Sequence, residues 1–340
     1  MSETQDVAGP TRAAPTVPSV EPPQYRPLPV EVVRTERLSP NFLRVTFGGS
    51  GVDGFGMAGC DQRIKLLFAP DGATRAPLSA GDDWYLRWRE LPDDRRPVMR
   101  TYTVRAFRPA AGELDVDFVL HGSGTGHSNE AAGPASSWAA TARAGDVLDL
   151  VGPDRSGRGR LWGVEWSPPS ACGAALLAGD ETAVPAVSAI LESLRPGLAV
   201  RVCLEVPTAD DVLPLPAAPG ADVSWLVRSG VDGEHARGDL LEAAVRDLLP
   251  AMLPDAVGTT VPDQGRPFGT AVADDGETDP DALLWDIPEP EAGAGELPYV
   301  WLAGEAEVMK RLRRFARQEL ALPRTAVACM GYWRRGRSES

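Results

Sequence analysis

Apolar and polar positions alternate with a period of two in short runs along the first half of the chain, the pattern of half-buried strands. Residues 30–34, 42–47 and 64–68 are the first three runs; Gly48-Gly49 closes the second and Pro70-Asp71-Gly72 ends the third. Residues 99–105, in which Thr101 and Thr103 alternate with Tyr102 and Val104, form a fourth, followed by 114–120 and 147–151. Residues 82–97 carry Trp84, Tyr85 and Trp88 among charges and read as a decorated loop. A short helix is expected over 135–143. Many short strands at close spacing predict a small antiparallel β-barrel.

The texture changes at Gly173. Residues 174–179 are a continuous apolar run, as in a buried parallel strand. Val184, Val187, Ile190, Leu191 and Leu194 then recur at helical spacing. Strands are expected over 200–206, 223–227, 299–304 and 326–330. Leu240, Leu241, Ala244, Val245 and Leu248 mark one further helix, and Val308, Leu312, Phe315, Ala316 and Leu320 another. Strands alternating with helices predict a doubly wound α/β domain. The expected layout is a tail over 1–26, a barrel domain over 27–155 and an α/β domain over 170–336. The tail, rich in Pro, Ala, Thr and Ser, has the composition of a disordered segment. Within the second domain, 250–297 breaks the rhythm with acids, Pro and Gly, and with Arg266 as its only base. It reads as a solvated insertion in which only Leu283-Leu284-Trp285 is suited to dock.

Composition narrows the function. The net charge of −14 disfavours nucleic acid as the main partner, because phosphate binding wants a basic surface. No apolar run reaches the roughly 18 residues of a membrane span. No apolar core follows a basic start, so no secretory signal is read. Cys60, Cys172, Cys203 and Cys329 are widely spaced, without a C-x-x-C pair, and none of the three histidines has metal-ligand spacing. A cytoplasmic protein without its own metal site is expected.

Arg100, Tyr102 and Thr103 place a cationic fork, a flat aromatic face and a small hydroxyl within four residues of one strand. That set suits a flavin dinucleotide. Arg can hold a pyrophosphate oxygen, Tyr can lie against the isoalloxazine, and the Thr hydroxyl can donate and accept near its reactive nitrogen. The competing reading is an ordinary half-buried strand with two solvated arginines, Arg100 and Arg105.

The Arg-x-Tyr-Thr-x-Arg run, Arg100 to Arg105, resembles the flavin motif of the ferredoxin-reductase superfamily, and within it that of the siderophore-interacting proteins, or ferric-siderophore reductases. Further stretches of the chain resemble the same family in the same order. They are Asp117-Phe118-Val119-Leu120-His121-Gly122, Gly133-Pro134-Ala135-Ser136-Ser137-Trp138-Ala139, Gly179-Asp180-Glu181-Thr182-Ala183, Trp301-Leu302-Ala303-Gly304-Glu305 and Gly331-Tyr332-Trp333-Arg334-Arg335-Gly336.

The resemblance implies that Arg100, Tyr102, Thr103 and the adjoining Arg105 hold FAD. Asp117, Val119, His121, Ala135 and Ser136 would line the rest of its site. His121 reads equally as a partly buried histidine bonded to backbone. Asp180, Glu181, Thr182, Gly304 and Glu305 would border the nicotinamide, and Tyr332 and Trp333 would bring an aromatic pair close to both rings. Read without the resemblance, the Asp180 and Glu305 turns are simple helix starts with an acid near the dipole. The run 123–130, which includes His127, lengthens the link before Gly133 and reads as a flexible loop.

The activity implied is an FAD-dependent transfer of electrons from NADH or NADPH to a ferric siderophore, by a monomer in which no residue ligates iron. Glu205, Asp210 and Asp211 against Arg228 tilt the expected donor toward NADH. Lys310, Arg311, Arg313, Arg314, Arg317, Arg334, Arg335 and Arg337 form either a basic mouth for an anionic substrate or a solvated face. The alternative functions are a general flavin reductase with another acceptor and a non-catalytic siderophore carrier.

Overall fold

The computed structural model describes residues 25–70, 78, 81, 83–120, 133–157, 163–230, 233–254, 284–288 and 297–336. The expected insertion loop 123–130, the call on His121 and most of 250–297 lie outside these residues, as do 1–24 of the expected tail.

The first half builds one antiparallel sheet from β1 (Tyr25–Arg37), β2 (Phe42–Gly48), β3 (Arg63–Phe68), β4 (Val98–Thr103), β5 (Ala106–Arg108), β6 (Glu113–Val119) and β7 (Val147–Pro153). Its order is β4-β3-β7-β1-β2-β6-β5. The sheet curls until its two ends meet. Tyr102 of β4 packs on Phe118 of β6 with ring centroids 4.4 Å apart, and the Arg105 N–H donates to the Asp115 carbonyl at 2.8 Å. β1 starts at Tyr25, two residues inside the expected tail. It tolerates Pro27 and Pro29 because residues 25–31 pair with β7 along one edge, and β2 joins the other edge only from Glu31 onward. Missing N–H groups at alternate positions therefore cost no ladder bond.

Three short helices decorate the barrel: α1 (Ser50–Asp53), α2 (Trp84–Glu90) and α3 (Pro134–Thr141). The loop expected over 82–97 is thus partly helical. Trp84 and Trp88 stand one turn apart on one face of α2 and pack beside Tyr25, Leu67 and Met99, which supplies the burial that a charged segment otherwise lacks.

The second sheet contains β8 (Ala174–Gly179), β9 (Ala199–Thr208), β10 (Ala221–Gly230), β11 (Gly233–Glu234), β12 (Trp285–Asp286), β13 (Tyr299–Glu305) and β14 (Val327–Trp333), in the order β11-β10-β9-β8-β13-β14-β12. The five strands from β10 to β14 in that order are parallel; β11 and β12 are antiparallel edges. Helices α4 (Val184–Glu192), α5 (Asp239–Ala251) and α6 (Ala306–Arg314) cover the sheet. One core holds α4 with Leu177, Val202 and Trp301; the other holds α5 and α6 with Leu176, Cys203 and Leu302. Alternate strand residues thus face opposite helical layers, which explains the unbroken apolar runs of β8 and β13.

Strand order reverses between β8 and β13, the topological switch point at which open α/β sheets bind ligands. The barrel is seated against the same half. Phe42 and Val119 bury in the α4 core, and each such side chain contributes about 1.5–3 kcal/mol by burial. Asp211 locks the joint: its carboxylate accepts Ser39 Oγ (2.7 Å), the Asn41 N–H (3.0 Å) and Asn41 Nδ2 (2.8 Å).

Candidate functional site

β4 is the end strand of its sheet, so its outer edge lacks a ladder partner among the described residues. Thr103 is buried, Tyr102 half-buried against Phe118, and the Arg100 guanidinium donates to the Met99 carbonyl at 2.8 Å. Burial pushes the Tyr102 hydroxyl up and keeps it a neutral donor, against the lowering effect of the Arg100 charge. Helix α3 begins after Gly133, with Pro134 at its first position, where a missing N–H costs nothing. Trp138 fixes it to the barrel through Phe68 and Phe118, with centroids 5.4 and 5.8 Å away. Ala135 and Ser136 are buried at its start, and a Cβ added to Gly133 would meet nothing within 4 Å. Its start carries the positive dipole end that suits an anion.

Two residues expected at the flavin have other partners. Asp117 forms a bidentate pair with Arg44, at 2.7 and 2.8 Å, and burial raises its pKa in spite of that cation. Arg105 reaches across the joint to Glu192 of α4 at 2.8 Å. Val119 belongs to the core between the domains.

At the switch point one carboxylate ties three segments together. Asp180 Oδ1 accepts the Thr182 N–H (2.9 Å) and Thr182 Oγ1 (2.5 Å); Oδ2 accepts the Glu305 N–H (2.9 Å) and Trp333 Nε1 (2.8 Å). Burial raises the Asp180 pKa, as does the Glu181 charge. Glu305 caps α6 by accepting the Glu307 and Val308 N–H groups at 2.8 and 3.1 Å. Gly304 lies at φ 154°, where a Cβ would come within 2.8 Å of the Asp180 carboxylate. A side chain there would push the crossbeam apart.

Glu181 turns away from this centre into a buried ionic network. It pairs with Arg228 at 2.9 Å and closely with Arg237, while Arg228 also meets Glu205 at 3.1 Å. Glu205 in turn accepts the Gly238 and Leu241 N–H groups at the start of α5. Of the residues behind the expected donor preference, Asp210 is exposed, whereas Glu205, Asp211 and Arg228 no longer contribute to it. These last three are buried, and each is committed to the fold through the bonds just described.

Much of the C-terminal basic cluster is held in ion pairs, in which three carboxylates serve six cations and leave the region net positive. Glu307 pairs with Lys310 and Arg334, Glu242 pairs with Arg311, and Asp286 gathers Arg313, Arg317 and Arg324.

Sequence reading missed the seam between the domains. Trp285 stacks on Tyr332 (centroids 6.1 Å, planes 11° apart), and the Arg63 guanidinium carbon lies 3.9 Å over the Trp285 ring. Arg63 is paired in register with Thr103. The Tyr332 hydroxyl is buried without a hydrogen-bond partner among the described residues, faces Thr103, and is held protonated by burial. Asp61 Oδ1 is likewise buried and unpartnered; burial first, and the Glu165 charge further, push that carboxyl up to about 6. The one visible signal was Leu283-Leu284-Trp285, apolar inside an acidic stretch. Arg63 and Asp61 belong to no motif.

The residues fit a flavin dinucleotide: a strand edge without a ladder partner among the described residues, a helix start beside it in the same barrel, and a small buried hydroxyl at Thr103. Among the described residues, no group of three His, Cys, Asp or Glu side chains is placed to hold a metal ion, and no helix is long and apolar enough to cross a membrane. A concavity of about 370 Å³ lies at the opposite end of the second sheet, beside Ala174, Ala199 and Arg201 at the strand starts. It is remote from these groups.

Residues 31–157 match the siderophore-interacting FAD-binding domain and residues 173–336 match the siderophore-interacting protein family. An uncharacterized protein of Mycobacterium tuberculosis is 36% identical over 317 residues, 91% of this chain and 90% of that one. Ferric vibriobactin reductase ViuB of Vibrio cholerae is 30% identical over 312 residues, again 91% and 90%. The crystal structure of the siderophore-interacting protein SipS from Aeromonas hydrophila shares 26% identity at a TM-score of 0.60, over 93% of this chain and 94% of that chain.

Proposed function

Because the chain belongs to the siderophore-interacting protein family, we propose that it is an FAD-dependent oxidoreductase carrying electrons from NAD(P)H to the Fe(III) of a ferric siderophore. One NAD(P)H reduces two Fe(III) to two Fe(II) and releases a proton. The observation that carries this reading is the Asp180 crossbeam. It joins the turn after β8, the turn after β13 and the end of β14, the strand whose Tyr332 faces Thr103 of β4.

Bound FAD would supply the hydride acceptance from the nicotinamide and the single-electron chemistry toward the iron. The chain supplies position and field. Arg100 offers a cation to the pyrophosphate, and the N-terminus of α3, at Ala135 and Ser136, offers a positive dipole end. Tyr102 presents a ring face to the flavin. The Thr103 hydroxyl, backed by that of Tyr332, holds a hydrogen bond at its edge. Gly304, Glu305, Thr182 and Trp333 border the nicotinamide, with Asp180 fixing their spacing. Asp117 and Arg105 support this site from behind: one holds Arg44 in the barrel wall, the other joins the barrel to α4. Glu181 anchors the turn through Arg228 and Arg237.

The siderophore keeps its iron until reduction weakens the oxygen ligation. One chain carries both halves of the site, so the working unit is a monomer of 36.2 kDa, a mass that light scattering would check. The free cysteines Cys60, Cys172, Cys203 and Cys329 suit a reducing cytoplasm.

Anaerobic stopped-flow tests the reading. FAD-loaded protein is mixed with NADH or NADPH, then with ferric siderophores and an Fe(II) trap. Bleaching at the flavin band, followed by siderophore-dependent recovery and trapped Fe(II), is expected. Bleaching without that dependence would assign a general flavin reductase, and a protein that binds no flavin would be a carrier.

A further inference from the structure

The acidic stretch between α5 and β13 returns to the sheet at one described place, and it brings an aromatic ring there. Trp285 pairs opposite Met330 and Asp286 opposite Cys329, and the Gly331 N–H donates to the Leu284 carbonyl at 2.7 Å. Asp286 is pinned by Arg313 at 2.6 Å, Arg324 at 2.9 Å and Arg317 at 3.2 Å. This anchoring is far stronger than two strand residues alone would provide, because three cations converge on one largely buried carboxylate.

Its product is the position of Trp285. The indole lies parallel to Tyr332, with planes 11° apart, while Trp301 meets Tyr332 edge-on at 89° and 6.3 Å. Tyr332 is thus fixed by two rings, one from the sheet and one from the returning segment. Arg63 covers Trp285 from the barrel side at 3.9 Å, and Arg63 is the strand neighbour of Thr103. Thr103, Arg63, Trp285 and Tyr332 therefore close a ring of contacts across the two domains.

We propose that Trp285 is a positioning residue for electron transfer: it holds the Tyr332 ring with its hydroxyl toward Thr103, and so shapes the place where nicotinamide meets flavin. The inference rests on the flavin reading above. Without Trp285, Tyr332 keeps a partner on one side only, and its side chain gains freedom at the last strand of the site. Trp285 is 37% exposed, so its truncation removes little core.

Trp285→Ala and Trp285→Phe test this in the full chain. In apo-protein labelled with 13C-tyrosine, which has five tyrosines to resolve, the Tyr332 resonance (assigned with Tyr332→Phe) should move in Trp285→Ala and largely return in Trp285→Phe. In FAD-loaded protein, Trp285→Ala should raise the nicotinamide KM about three- to tenfold, the scale of one lost aromatic pair, with kcat within about twofold. It should also shift the flavin absorption band, and Trp285→Phe should restore both. An unmoved Tyr332 resonance, or wild-type KM and flavin spectrum in Trp285→Ala, would overturn the proposal. If wild-type protein binds no FAD, the flavin reading fails, and the tyrosine spectrum still shows separately whether Trp285 orders Tyr332.

Discussion

The Trp333 indole donates to Asp180, Nε1 to Oδ2 at 2.8 Å, across 153 residues of sequence. The same oxygen receives the Glu305 N–H, so the last strand and the turn after β13 are both referred to one buried carboxylate. Hydrogen bonds to charged groups are worth about 1.5–3 kcal/mol, and leaving such an acceptor short of donors is costly.

Trp333→Phe keeps the ring and removes this donor. It should destabilise the protein by about 1–2 kcal/mol and raise the nicotinamide KM, because Asp180 then loses the donor that ties it to β14. Urea unfolding of apo-protein and steady-state kinetics of loaded protein would check both parts.

Arg228 sits between Glu181 and Glu205, all three buried. Arg228→Met should cost about 3–5 kcal/mol, since it leaves Glu205 buried without its counter-charge and Glu181 with Arg237 alone. The NADH-to-NADPH preference should stay unchanged. A changed preference at wild-type stability in urea melts would instead assign Arg228 to a 2′-phosphate.

Arg100 and Arg105 belong to one motif but should separate on substitution. Arg100→Ala should weaken FAD binding about tenfold or more, as loss of a charge-assisted bond to pyrophosphate requires. Arg105→Ala removes the pair with Glu192 and should weaken FAD binding much less. Fluorescence titration of FAD into each apo-protein would distinguish them.

Asp61 makes stability depend on pH. Its carboxyl is raised from an ordinary 3.8 to about 6 in the folded protein. The folded state therefore holds a proton that the unfolded chain releases between about pH 4 and 6. The contribution is complete below the unfolded value and is lost as pH rises through the folded one. Asp61→Asn keeps an acceptor for the Glu165 and Trp166 N–H groups and does not titrate. Relative to this variant, wild-type protein should lose about 3 kcal/mol between pH 4 and pH 7, order of magnitude, by linkage. Urea melts at both pH values would show it; parallel pH profiles would remove Asp61 from the account.

The sequence by itself determined the two architectures and their order. Period-two alternation marked six of the seven barrel strands, and continuous apolar runs marked β8 and β13, because burial on one face or two writes directly into local pattern. It also picked out the three segments that Asp180 joins, through motifs whose residues are adjacent in the chain. Tertiary structure decided what those residues touch. Glu205 and Asp211 read as groups facing a ribose, yet one caps α5 and the other locks the barrel joint. Arg105 looked like part of the flavin clamp and instead binds Glu192. Trp285 lay in a stretch without periodicity, and nothing local could announce Tyr332 or Arg63 as its neighbours. Partners of a side chain depend on contacts far apart in sequence, and periodicity reports only which face is buried, not what buries it.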